Sequence, residues 1–329
     1  MAVIDLLNLQ PTVISRDLRD KYILLAGKPK VGKTEFCTLI PYSLIFAFEK
    51  GTNAKPNAFV QPIQTWSDFK LAIRQLENVQ LQQKFQTICI DTVAIAYQLC
   101  EDFICAQNGV MKIGDIPYGA GYKSLSKEFE GALRKITMLG YGLVLTSHLR
   151  ERVEKDKNGN EVYAGVPDLN DRCLGIVNGL VDIIGVIVQD WNEKNESERW
   201  LITRATPTIA AGTRFKYLAP KIPFGYENFV QALGEAIDKE AENGATVVDK
   251  VEIVEEKKKS YEECREEALI LWNKLCMNQD GTFNEENEHR VLKRIQMIFG
   301  RPIRLSEITE DQVDLYELVL TDMKELLNN

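Results

Sequence analysis

The sequence predicts an α/β fold with a mostly parallel central sheet flanked by helices, followed by a small α-helical domain. Three observations carry this prediction. Short β-branched runs bounded by turn residues alternate with longer amphipathic stretches, the pattern of parallel strands joined by helical crossovers. The stretch GKPKVGKT at 27–34 stands between the first apolar run and the first helical stretch, where a glycine-rich phosphate loop belongs. Beyond residue 260 the strand-like runs stop and the pattern is helical.

Along the chain, strands are expected at YILLA (22–26), SLIFAF (43–48), QTICI (86–90), GLVLTS (142–147), VDIIGVIVQ (181–189) and RWLITRA (199–205). Helices are expected from Lys33 to about Leu39 and over 67–78, 93–107, 119–139 and 227–242. These elements make one domain over 21–240, preceded by an N-terminal segment at 1–20. Residues 241–260 lack apolar periodicity and end in a charge run, which reads as a solvated linker. The tail, 261–329, is expected as a helical domain, with TEDQ at 309–312 marking a capping box. There is no internal repeat.

Composition sets bounds on function. With 329 residues the chain can bury a core in each of two domains. No apolar run approaches the roughly 18 residues of a membrane span, and MAVIDLLNLQ lacks the basic flank and cleavage site of a signal peptide. The expectation is a cytoplasmic protein with no membrane partner. Seven scattered cysteines without a C-x-x-C pair read as reduced, mostly buried small hydrophobes. Two distant histidines give a structural zinc site little to work with, while a metal held by oxygen ligands stays open. A net charge of −8 excludes a uniformly basic surface and leaves room for local basic loops.

GKPKVGKT fits G-x-x-x-x-G-K-[ST] completely, in the strand-before, helix-after context the motif requires. Glycines allow backbone N–H groups to close around phosphate oxygens, the lysine adds positive charge at the β and γ phosphates, and the following hydroxyl can bind Mg²⁺. Gly27, Lys28, Pro29, Lys30, Val31, Gly32, Lys33, Thr34 and Glu35 are therefore the expected ATP-binding residues. Lys28 takes the position of an extra signature lysine found in partition-type ATPases, but Pro29 and Lys30 replace the glycines expected there. Solvated lysines beside phosphates are the plainer reading.

TICID ends on Asp91, an acid at the tip of a buried strand, where it can hold Mg²⁺ together with Thr34; the rival reading is an aspartate capping the next helix. Thr92, not a carboxylate, follows it, so a base that activates water must come from elsewhere. Glu49 ends LIFAFE, a second strand whose carboxyl tip opens into the same crevice, and is the candidate base; a solvated strand-end glutamate is the alternative. His148 follows LVLTS at another strand tip and can report on the γ-phosphate, or be a satisfied histidine with no such role.

GKPKVGKT, FAFEKGT, TICIDT, GAGYKSLSKEFEGAL, GLVLTSH and TRFKYLAPKIP, in this order, make the region from about 20 to 235 resemble the RecA-like P-loop ATPases. More narrowly, it resembles the phage-encoded ones of single-strand annealing and recombination, a phage nucleotide-binding AAA-type family. The resemblance implies a RecA-like fold, ATP and Mg²⁺ as ligands, and roles for Lys33, Thr34, Asp91, Glu49 and His148 as phosphate lysine, metal hydroxyl, metal acid, catalytic glutamate and polar switch. RecA itself carries a glutamine at the position of His148, a departure from the family pattern.

The resemblance also implies a homo-oligomer in which Arg214, with Lys216 nearby, reaches a neighbour's γ-phosphate; a surface arginine is the bland reading. It implies single-stranded DNA as partner, met by segments 106–124 (Lys112, Tyr118, Tyr122, Lys123) and 149–172 (Arg150, Arg152, Lys155, Lys157, Tyr163), aromatic and basic residues suited to stacking bases and tracking phosphates. Ordinary solvated connections look much the same. Two other classes stay open: a P-loop kinase with Arg150 and Arg152 as lid residues, and a nucleotide-controlled adaptor or helicase loader whose tail, 261–329, binds a protein.

Overall fold

The computed structural model describes residues 11–51, 56–155, 161–191, 196–250, 259–278 and 282–328. Two compact units divide the chain, one over Pro11–Glu252 and one that holds Ile253–Asn329. The first unit begins with β1 (Ile14–Ser15) and a 3-10 turn, then β2 (Tyr22–Gly27), whose last residue opens the phosphate loop. Helix α1 (Lys33–Leu39) starts on Gly32 at φ +110°, a left-handed conformation that glycine adopts without a Cβ clash. β3 (Ser43–Ala47) and β4 (Val60–Pro62) precede α2 (Trp66–Gln75), which Thr65 and Asp68 start with a reciprocal capping box.

Next come α3 (Val79–Lys84), β5 (Thr87–Asp91), α4 (Val93–Gln107), α5 (Ala120–Met138) and β6 (Gly142–Ser147). β7 (Leu149–Lys155) and β8 (Glu161–Pro167) form an antiparallel hairpin, and α6 (Asp171–Leu180) is capped by Asn170, whose Oδ1 accepts from the Cys173 N–H. β9 (Ile183–Trp191), β10 (Ser197–Ile202), β11 (Gly212–Thr213), β12 (Lys221–Pro223), α7 (Tyr226–Glu242) and β13 (Val247–Val248) complete the unit.

Among the described residues the main sheet has nine strands in the order β12-β10-β9-β2-β6-β5-β3-β4, with β11 beside β9. The run from β9 to β4 is parallel throughout; β10 and β11 pair antiparallel with β9, and β12 pairs antiparallel with β10. The expected α/β fold, a mostly parallel central sheet flanked by helices, is thus the observed one. Alternate residues of the buried strands feed two cores, as a period of two requires. Leu24, Ile88 and Ile90 pack into the layer of α2, α4, α5 and α6, against Trp66, Phe129 and Val177. Ile23, Leu25 and Cys89 pack into the layer of α1 and α7, against Phe36, Phe229 and Leu233. Burial on both faces explains why these strands read as continuous apolar runs.

Several expectations need correction. Segment 149–172, expected as a loop, is mostly the β7–β8 hairpin and the start of α6. Segment 106–124 is anchored by two 3-10 turns that bury Ile113 and Ile116 before α5 begins. Of the 241–260 stretch expected as a linker, the first part finishes α7 and supplies β13, which pairs with β1 at Ile14–Val247 and closes the unit; residues 251–258 lie outside the described residues. The seven cysteines are free and buried, and burial pushes the Cys173 thiol up to about 12, which keeps it protonated and inert.

The second unit contains α8 (Tyr261–Cys276), α9 (Glu285–Phe299) and α10 (Val313–Asn328) around Leu271, Val291, Ile295, Tyr316 and Met323. Ser260 and Glu263 start α8 with a capping box. At TEDQ the Thr309 N–H donates to Gln312 Oε1 at 3.2 Å, on a 3-10 turn that leads into α10.

Gly142, the first residue of β6, tests the sheet's packing. A Cβ there would lie 2.3 Å from the Leu18 carbonyl oxygen and 3.2 Å from Arg19 Cα, both backbone atoms that cannot swing away. Gly142→Ala is expected to lower stability by about 1–3 kcal/mol, read as a lower urea midpoint in tryptophan fluorescence; an unchanged midpoint would show that the 3-10 turn yields freely.

Candidate functional site

The parallel strands all end on one edge of the sheet, and there the phosphate loop, Glu49, Asp91 and His148 meet. They line a cleft of about 530 Å³ together with Lys30, Thr34, Glu35 and Lys50. Lys33 is buried, and its ammonium donates to the carbonyls of Gly27 (2.8 Å) and Lys28 (3.0 Å), so it is fixed across the mouth of its own loop. Burial pushes the Lys33 ammonium below the usual lysine range, against the pull of the Asp91 and Glu49 carboxylates. Lys28 contributes its carbonyl, while its side chain is exposed. Gly27 and Gly32 are both required: a Cβ at Gly27 would lie 2.8 Å from Val31 Cγ1, and one at Gly32 would lie 2.8 Å from Arg199 Nη1.

Asp91 is buried at the tip of β5, and both its carboxylate oxygens have donors. Thr34 Oγ1 donates to Oδ2 at 2.7 Å, and Thr146 Oγ1 of β6 donates to Oδ1. The cap position of α4 belongs to Thr92, so the carboxylate is turned to α1 and β6 rather than to the helix that follows it. A hydroxyl and a carboxylate side by side are the hard oxygen donors that Mg²⁺ takes when phosphates and water complete its shell. The residues therefore fit that ion. Among the described residues no group of three His, Cys, Asp or Glu gathers to hold a metal by protein ligands alone.

Glu49 follows β3 and is drawn to the same point, its N–H lying 3.3 Å from the Asp91 carbonyl. Its Oε1 accepts from Thr92 Oγ1 at 2.8 Å and lies 3.6 Å from His148 Nε2. The glutamate is thus held by a neutral donor on one side and an imidazole on the other, with about a third of its side chain exposed to the cleft. His148 Nδ1 is buried without a partner among the described residues. Its carbonyl accepts from the Asp168 N–H at 2.8 Å, which ties His148 to the base of the β7–β8 hairpin.

Arg214 is not brought to this cleft. Its guanidinium donates to Asp182 Oδ1 (2.9 Å) and to the Gly179 carbonyl (3.1 Å), while Asp182 Oδ2 accepts from the Tyr22 N–H. That is the amino end of β2, a strand's length from Gly27, where the arginine braces the starts of β2 and β9. Lys216 lies over the Tyr217 ring. The two segments expected to meet DNA do come together: Arg172 on α6 stacks over the Tyr122 ring at 4.4 Å. Tyr118, Lys112 and Lys123 are exposed. Arg150 donates to the Leu169 carbonyl and Arg152 pairs with Asp171 at 3.7 Å, so both hold the hairpin to the start of α6. Lys157 and the side chains of Lys155 and Tyr163 lie outside the described residues.

Three residues escape sequence reasoning. Thr146 precedes His148 by two positions in a run that reads as plain strand. Lys50 follows Glu49 and lines the cleft. Arg199 of β10 donates from Nη1 to the Val31 carbonyl at 3.0 Å, with its guanidinium over the Phe224 ring. It clamps the phosphate loop from a strand 168 residues away.

A family model described as an AAA domain matches residues 19–215. The SPbeta prophage-derived uncharacterized protein YorG of Bacillus subtilis (strain 168) is 28% identical over 336 residues, covering 98% of this chain and 99% of that protein. Among solved structures, a KaiC-like protein of Pyrococcus horikoshii OT3 is similar over 63% of this chain and 86% of its own, at 11% identity and a TM-score of 0.33.

The clamp leads to a measurable outcome. Arg199→Ala removes one charge-assisted hydrogen bond from the loop and is expected to weaken ATP binding by about tenfold, measured by titration calorimetry, with a smaller change in turnover. Unchanged affinity would mean that the loop keeps its shape without β10.

Proposed function

The chain belongs to the AAA domain family, and on that premise we propose that it is a Mg²⁺-dependent, RecA-like ATPase that acts on single-stranded DNA in phage recombination or replication. The observation that carries the reading is the position of Glu49, held by Thr92 and flanked by His148 beside the loop that presents Lys33. A carboxylate there can orient a water molecule and accept its proton as the water attacks the γ-phosphate. Lys33 places a positive charge at the phosphates where negative charge builds up. Thr34 and Asp91 would hold Mg²⁺, which supplies further neutralisation of the β and γ oxygens.

His148 stands between this chemistry and the β7–β8 hairpin. A strand or ligand that displaced the hairpin would act on the His148 backbone through the Asp168 N–H and change the setting of Glu49. Exposed Tyr118 offers a stacking face, and Lys112 and Lys123 on the same connection offer charge for a phosphate backbone. The end-to-end similarity to a prophage-derived protein supports a phage setting and, with it, action in a host cytoplasm. No described helix is long and apolar enough to cross a membrane.

Steady-state hydrolysis measured with and without single-stranded DNA at low salt, with Lys33→Ala as blank, tests the reading. Stimulation that is absent from the blank is expected, and hydrolysis indifferent to DNA would remove DNA from the proposal. Glu49→Gln is expected to reduce kcat at least about a hundredfold while ATP binding persists. A Glu49→Gln protein that turns over normally would show that the base lies elsewhere.

A further inference from the structure

Charge in the helical unit is sharply segregated. Residues 261–329 carry more acidic than basic side chains, yet from His289 to Arg304 there are Arg290, Lys293, Arg294, Arg301 and Arg304 and no aspartate or glutamate. Burying α9 in its core uses Val291 and Ile295, so packing does not dictate the basic side chains around them. His289, Lys293 and Gln296 recur at spacings of four and three, which places them on one helix face, and all three are exposed.

Arg304 meets that face across a groove of about 550 Å³ floored by Leu292, Pro302 and Ile303. Leu292 and Arg304 also border a second groove, of about 520 Å³, that continues to Trp272 and Leu269 on α8. The two make one path with a partly exposed indole at one end and basic side chains at the other. Arg294 pairs with Asp322 at 3.8 Å, and Arg290 with Asn287. Among the described residues Lys293, Arg301 and Arg304 take part in no ion pair. Two acids border the path as well, Glu307, whose carboxylate accepts from the Arg304 N–H, and Glu288 on the Trp272 side; exposed Arg290, Arg294 and Arg301 on the same 289–304 stretch add to Lys293 and Arg304.

We infer that this groove binds the backbone of single-stranded DNA, with Lys293 and Arg304 on phosphates, exposed Arg301 next to the lining Pro302 adding charge, and Trp272 as a face on which a base stacks. Charge complementarity selects the occupant: an acid-free basic run on an otherwise acidic chain attracts a polyanion, and an aromatic beside it suits unpaired bases. The sequence left the tail's partner as a protein, whereas the segregated charge favours nucleic acid. The inference rests on the proposed action on single-stranded DNA and gives the helical unit a share in it.

The test uses the full chain and a fluorescein-labelled oligothymidylate of about 30 nucleotides, followed by anisotropy at about 50 and 200 mM salt. Combined Lys293→Ala, Arg301→Ala and Arg304→Ala substitutions are expected to weaken binding at least about tenfold and to lower the salt slope by about two, at roughly 0.7 per lost phosphate contact on a single strand. The charge-keeping set Lys293→Arg, Arg301→Lys and Arg304→Lys should retain the affinity, which separates lost charge from lost folding. Wild-type affinity and slope in the alanine variant would overturn the inference and turn attention to a protein occupant. A wild-type chain that hydrolyses ATP but binds no oligonucleotide would instead sink the DNA reading, and the inference with it.

Discussion

The carboxylate of Asp91 is buried, and a buried carboxylate is costly unless donors meet it. Two threonine hydroxyls do so, Thr34 from the first turn of α1 and Thr146 from β6. The consequence is geometric. β6 lies between β2, which carries the phosphate loop, and β5, which carries the acid, so the loop and the acid are not on neighbouring strands. The hydroxyl of the intervening strand fills the gap and the hydroxyl of the helix spans it. Loop, helix and acid are thereby fixed relative to one another before any ligand arrives, which is the condition for preorganised electrostatics.

The same edge places a second set of groups one strand further out. β3 pairs with β5 in register Ala47 with Asp91, so the residues just beyond it must pass over the Asp91 carbonyl. Phe48 N–H donates to that carbonyl at 2.7 Å, and Glu49 arrives beside Thr92 and His148. Of the three, His148 leads directly into the β7–β8 hairpin. Its carbonyl is bonded to Asp168 at the far leg of the hairpin, so the imbalance between a rigid strand tip and an extended hairpin falls on this one residue. A group in that position has a physical route for relaying a load on the hairpin to the glutamate, through one backbone bond and one side-chain contact.

What could be read from sequence follows from how local each feature is. The phosphate loop is contiguous, and Asp91 and Glu49 each end an apolar run, so pattern alone located them. Thr146 and Arg199 were invisible because their meaning depends on strand order: β6 must insert between β2 and β5, and β10 must return antiparallel to bring its guanidinium onto Val31. The β7–β8 hairpin looks like a loop in sequence because its charged residues do not alternate cleanly with apolar ones. Helix α6 was missed because Gly175 and Gly179 weaken its propensity, while Asn170 and the burial of Val177 and Leu180 hold it in place. For Arg214 the resemblance implies a role toward a neighbouring subunit, and within the chain its partners Asp182 and Gly179 are contributed by a segment no local pattern links to it.

Net charge is the least local quantity of all, and it says least about surfaces. At −8 the chain argues against a basic coat, yet a run from His289 to Arg304 free of acids coexists with that total. At physiological salt the screening length is about 8 Å, shorter than the roughly 22 Å that the 15 residues of α9 span. A phosphate lying in the α9 groove therefore senses Lys293 and Arg304 far more than acids elsewhere on the unit. The relevant variable for an anionic partner is the charge within one screening length of the groove, where the exposed bases of 289–304 stand against Glu288 and Glu307.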